Sequence, residues 1–145
     1  MDKKTFNKIT KEIFTEYGFT KKGSTRFILV LQDISITVRF ASWRGVKYFG
    51  YTFGLHALYD DSTPFEQRFD SIVETKIILF PTADGYHSHE VLYEQYTETE
   101  YRTLLTNALH SHFDAFKENA LKFIRNNHFL FCIRKEANEY LGIVE

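Results

Sequence analysis

Two neighbouring stretches alternate so regularly that they leave the chain little choice of architecture. In residues 34–41, Ile34, Ile36, Val38 and Phe40 take every second position, with Ser35, Thr37 and Arg39 between them. In residues 47–58 the same period puts Phe49, Tyr51, Phe53, Leu55 and Ala57 on one side. Tyr48, Gly50, Thr52, Gly54, His56 and Leu58 fall on the other. Successive side chains of a strand point to opposite faces, so each stretch predicts a strand with one apolar face. A sheet with a face of rings needs a cover, and that demand organises the rest of the chain.

The cover is available at both ends. Phe6, Ile9, Ile13 and Tyr17 recur at spacings of three and four, predicting an amphipathic helix over residues 3–17. Asp2 is its N-cap and Gly18 its left-handed stop, behind which Phe19 meets Phe14. Thr97 and Glu100 form a capping box. From Tyr101 to Ile124 the apolar residues keep a helical period that ends at Asn126 and Asn127. A last helix spans 129–141 and stops at Gly142. In between, residues 25–31 read as the first strand and 75–80 as the last, ending before Pro81. Thr63, Pro64 and Glu66 start a short helix over 64–72. Only a turn at Asp84 and Gly85 is assigned in 82–96. Short links imply antiparallel pairing. The expectation is a single α+β domain over residues 1–145, an antiparallel sheet of about four strands covered on one face by N- and C-terminal helices.

Composition narrows function by exclusion. The formal net charge is -1, which argues against a general nucleic-acid binder. Lysines and arginines concentrate in residues 1–26 and acids in residues 60–100. The lone cysteine, Cys132, excludes an internal disulfide. Its neighbours Phe129, Leu130 and Phe131 predict a buried, inert thiol. No apolar run reaches the roughly 18 residues that a membrane span needs. The charged first residues lack the apolar stretch of a signal peptide. The expectation is a cytoplasmic protein with neither a membrane nor a nucleic-acid partner. The chain holds no GxxxxGK or GxGxxG loop, no GxSxG elbow and no CxxC pair, so no catalytic residue is assigned.

The first residues also carry a likeness. A starting helix is followed by Gly-Phe-x-Lys-Lys-Gly at residues 18–23, an aromatic at Phe27, a strand ITVRF and a strand YFGYTFGL with a glycine near its end. Over about residues 1–58 this pattern resembles the bacterial domain-of-unknown-function 4304 family. Where members carry a Phe-Gln-Lys-Ser-like ending on the second strand, this chain reads Phe40, Ala41, Ser42 and Trp43. The resemblance implies the fold and a bacterial source, and brings no activity with it.

Binding candidates gather on the second and third strands. Gly50 and Gly54 flank Thr52 on one strand face, bracketed by Tyr48 and His56, with Arg39 and Thr37 facing the same way next door. Glycine in a strand marks close approach of another backbone or a ligand. Trp43 and Arg44 occupy the following turn, and both residue types are enriched at binding hot spots. The binding set is therefore Arg39, Trp43, Arg44, Tyr48, Thr52 and His56. Plainer alternatives are a helix packed tightly over the glycines and a Trp43 folded back on the core, the commoner arrangement.

His87, His89 and Glu90 are the metal candidates. On a strand the two histidines project to one side, and imidazoles with a carboxylate suit zinc or another divalent metal. The plainer alternative is a polar surface segment. His110 and His112 diverge on a helix, and His112 borders the apolar stripe as a hydrogen-bonded core histidine. The functional expectation is a non-catalytic binding module without a cofactor, a protein-binding accessory or immunity-type protein. The alternatives are a metal-dependent hydrolase built on His87, His89 and Glu90, and a small-molecule sensor using the Gly50/Gly54 face.

Overall fold

The computed structural model describes residues 1–79 and 88–143. Helix α1 (Lys3–Tyr17) leads into strands β1 (Thr20–Lys22), β2 (Arg26–Val30), β3 (Ile34–Trp43) and β4 (Val46–Leu55). A two-residue strand β5 (Thr75–Lys76) and helices α2 (Glu98–Asn126) and α3 (Lys135–Leu141) follow. All five strands pair antiparallel in sequence order. The fold is α+β.

The two alternating stretches become the longest pair of the sheet, in a register that sets Ile36 against Phe53 and Phe40 against Phe49. Their apolar face takes α1 and α2. Phe14 stacks on Phe27 with ring centroids 4.3 Å apart. Tyr51 meets Phe113 edge-on at 4.9 Å. Aromatic pairs in these orientations add to the area they bury. Asp2 caps α1 by accepting the Thr5 N–H at 2.8 Å, Gly18 stops it at φ 123°, and Phe19 lies edge-on to Phe14. Thr97 and Glu100 form the reciprocal capping box of α2.

Several elements depart from expectation. The sheet has a fifth strand, Thr20–Lys22, whose three exposed residues show no alternation that could announce it. β5 keeps only two of the residues expected in 75–80. The strand expected over 47–58 is β4, which ends at Leu55, and His56–Leu58 form a 3-10 turn that takes His56 and Leu58 off the glycine face. α2 breaks at Asn119, which is extended at φ -162° and ψ 95°. The Asn119 Oδ1 accepts the Lys122 N–H at 3.1 Å, so the residue caps the second segment from inside the helix.

The helix expected over 64–72 is a 3-10 turn at Phe65–Gln67 followed by an extended strap. Tertiary hydrogen bonds outcompete the local signal. The Thr63 hydroxyl turns to the Asp60 carboxylate instead of capping. Asp70 donates its N–H to the Phe53 carbonyl at 2.7 Å, and its carboxylate accepts the Leu55 N–H at 2.6 Å. The Ser71 hydroxyl accepts the Phe53 N–H at 3.0 Å. These bonds satisfy the open edge of β4, which would otherwise carry unpaired polar groups.

The last helix is also shorter than expected, beginning at Lys135 after a 3-10 turn at His128–Leu130. Between them the chain runs extended beside the strap, with Ser71 bridged to Ile133 and the Ile72 N–H donated to the Cys132 carbonyl at 2.7 Å. Extended chain alternates its side chains, so Phe131 is buried and Cys132 is exposed. The expected buried thiol is corrected accordingly.

Candidate functional site

Side chains directly opposite on paired antiparallel strands share a face. The register therefore builds a row across the whole sheet. Lys22 pairs with Arg26, Arg26 with Arg39, Arg39 with Gly50, and Gly50 with Lys76. This row lies on the face opposite the helices. Among the described residues, Glu74 is the carboxylate that ion-pairs with it, through Arg39 at 2.6 Å. Glu74 comes from the strap and stands over Gly50, where an added Cβ would lie 3.1 Å from its side chain. Its hydrogen bonds hold the Arg39 guanidinium above its already high ordinary value, so Arg39 is a fixed cation.

Gly54 admits the strap more tightly still. A Cβ there would fall 2.5 Å from the Arg68 Cβ and 2.6 Å from its carbonyl oxygen. The close approach that the glycines signal is thus made by the protein's own extended chain, where a covering helix was the plainer expectation. Thr37 and Thr52 are buried beneath the strap. What stays open is a groove of about 390 Å³ with Arg26, Arg39 and Glu74 at one side and Phe69 and Ile72 at the other.

Of the expected binding residues, the structure brings Arg39 and Thr52 to this groove. Trp43 and Arg44 sit at the end of the same sheet face, with Arg44 lying 4.5 Å over the indole. Trp43 is 59% exposed, which corrects the expectation that it folds back on the core. Arg44 takes the turn at φ 51°, a left-handed conformation rare outside glycine, just before Gly45 at φ 80°. Tyr48 is buried, with the Lys76 ammonium 5.2 Å from its ring and His89 edge-on at 6.4 Å.

His56 belongs elsewhere. Its Nε2 lies 2.9 Å from the Leu31 carbonyl and its Nδ1 3.2 Å from an Arg68 amino group. The ring thus donates to the one and accepts from the other, locking the end of β4. Arg68, only 6% exposed, also donates to the carbonyls of Asp60 and Thr63.

For the metal candidates, His87 lies outside the described residues. Among the described residues no three of His, Cys, Asp and Glu converge as a metal set. His112 is hydrogen-bonded as expected, with its Nε2 accepting the Ile78 N–H at 2.9 Å, but it sits half-buried at the margin of the core. Its burial pushes its pKa below the ordinary value, which keeps it neutral and able to accept.

Sequence reasoning missed Lys22, Arg26, Lys76 and Glu74. Each is an unremarkable surface charge by itself, and only the strand register makes a row of them. No family model, no curated protein and no solved structure matches this chain. No helix among the described residues is long and apolar enough to cross a membrane.

Proposed function

We propose that this chain is a non-catalytic binding module that takes an acidic segment of a partner protein on the outer face of its sheet. The observation that carries this reading is the row of Lys22, Arg26, Arg39 and Lys76, answered among the described residues by Glu74 alone. Like charges directly opposite on paired strands are unfavourable. Partner carboxylates relieve the Arg26 and Arg39 repulsion that Glu74 offsets in part, and complementary charge gives specificity and fast association. Trp43 at the end of the face is an exposed aromatic anchor with Arg44 stacked on it. A net charge of -1 fits an acidic protein partner better than nucleic acid, whose binders carry a basic balance. An accessory or immunity-type role in a bacterial cytoplasm is part of this proposal. So is kinship with the domain-of-unknown-function 4304 family, on the pattern in residues 1–58.

Trp43 is the chain's single tryptophan and reports on this face directly. Titration with poly-L-glutamate at low ionic strength is expected to change its emission saturably. The response should weaken steeply with added salt and disappear in R26E/R39E. An undiminished response in that variant overturns the proposal. So does a preference for oligothymidylate over polyglutamate of equal charge.

A further inference from the structure

The other side of the β3–β4 hairpin holds a second feature, independent of the outer face. A cavity of about 520 Å³ opens between the first turns of α1, the β1–β2 turn and the ends of β3 and β4. Its floor is aromatic. Phe6 stacks on Tyr93 with centroids 4.5 Å apart and leans on Phe40 at 5.2 Å. Phe27 completes the lining on the β2 side. Phe6, Phe27 and Tyr93 are buried, and Phe40 is half-buried.

Around this floor stand Lys3, Lys21 and Lys47, and among the described residues no acid lines the cavity. The register explains the convergence. Lys21 pairs with Phe27 and Lys47 with Ser42, on the side of the sheet that faces the helices. Here that side is open at its edge, so the lysines take a place where apolar residues would be covered. Lys3 stands in the first turn of α1, where a cation opposes the helix dipole. That turn carries no acid, and Asp2 is engaged in capping. Three cations therefore share the mouth of an aromatic cavity with the positive end of a helix. The Lys47 ammonium lies 4.8 Å from the Tyr93 ring, which fixes its position over the floor.

From this geometry we infer that the cavity binds a small planar aromatic anion. Its flat apolar body lies against the accessible face of Phe40, which the buried rings of Phe6 and Tyr93 back, and its carboxylate, sulfonate or phosphate meets Lys21 and Lys47. The volume lies within the roughly 300–1,000 Å³ of small-molecule sites, which combine apolar walls with a few placed polar groups. Ser42 and Thr25 add hydroxyl donors at the rim.

The test is calorimetric titration of the full chain with 2-naphthoate, 2-naphthamide and decanoate. One 2-naphthoate per chain is expected, with the neutral amide at least about tenfold weaker, the scale of a lost charge-assisted contact. K21Q/K47Q should lose a similar factor while keeping the wild-type melting temperature, and R26E/R39E should bind as the wild type does. K21Q/K47Q keeps the experiment decisive, because Lys21 is exposed, Lys47 is only half-buried, and neutral glutamine introduces no repulsion. Equal affinity for the amide removes the anionic requirement and overturns the inference. Preference for decanoate overturns the planar aromatic body. An absence of 2-naphthoate binding overturns the site.

Discussion

At the scale of single residues, Asp70 carries the heaviest responsibility. Its side chain is fully buried, ion-paired with Arg134, and accepts the Leu55 N–H and the Tyr59 hydroxyl. Removing its carboxylate leaves the buried Leu55 N–H without its acceptor, at a cost of about 1–3 kcal/mol, while half-buried Arg134 keeps Glu136. D70A should lose that much in urea denaturation; a loss within the scatter of surface substitutions would show that the strap is not held this way. The two strand glycines predict a contrast. G54A must displace the backbone of Arg68 and should cost about 1–3 kcal/mol. G50A meets the Glu74 Cβ, Cδ and Oε2 at 3.1 Å; the carboxylate can rotate away and the Cβ needs to give only a few tenths of an ångström, so the cost should be less than that of G54A. His112 gives a pH dependence. Burial holds its folded pKa below the ordinary histidine value, so the unfolded chain takes up the proton first as pH falls. Its stabilising contribution is whole above about 6.5 and is lost as pH drops through the lower folded value. H112Q keeps an acceptor for the Ile78 N–H, and its unfolding free energy should fall less between pH 7 and pH 5. Equal slopes in the two proteins would sink this assignment.

The elements show where local signals win and where they are overruled. The Asp2 cap and Gly18 stop of α1 and the capping box of α2 act within a turn, and they form as the residues dictate. The break at Asn119 is an internal cap of the same kind. N119A should lose about 1 kcal/mol, and N119D should recover most of it, as measured by thermal unfolding. The strap is the opposite case. Thr63, Pro64 and Glu66 signal a helix, yet β4 offers edge carbonyls and N–H groups that Asp70 and Ser71 satisfy better. That choice also delivers Glu74 to Arg39. Replacing Glu74 with glutamine leaves the basic row unanswered by any described residue. E74Q should therefore bind polyglutamate more tightly than the wild type, and weaker binding would mean that Glu74 is part of the recognition surface.

Across the whole molecule, a nearly neutral chain hides a strongly polar distribution. The outer face of the sheet and the aromatic cavity lie on opposite sides of the β3–β4 hairpin and draw on different lysines and arginines. Charge changes at one should leave binding at the other within experimental error. Alternation at Ile34, Ile36 and Val38 and at Phe49, Tyr51 and Phe53 was enough to determine a sheet with one apolar face. The periods of Phe6 to Tyr17 and of Tyr101 to Ile124 were enough to determine its helical cover. Each of these rests on neighbours a few positions apart, whose directions are set by backbone geometry alone. Trp43, Arg44, Arg39 and Thr52 were legible as candidates for the same reason. The basic row, the ring-floored cavity and the course of the strap were decided only in three dimensions. Lys22, Arg26, Gly50 and Lys76 become neighbours through strand register, and Phe6 meets Tyr93 through helix docking. No local period relates residues so far apart in the chain; hydrogen bonding between strands and burial of shared rings do.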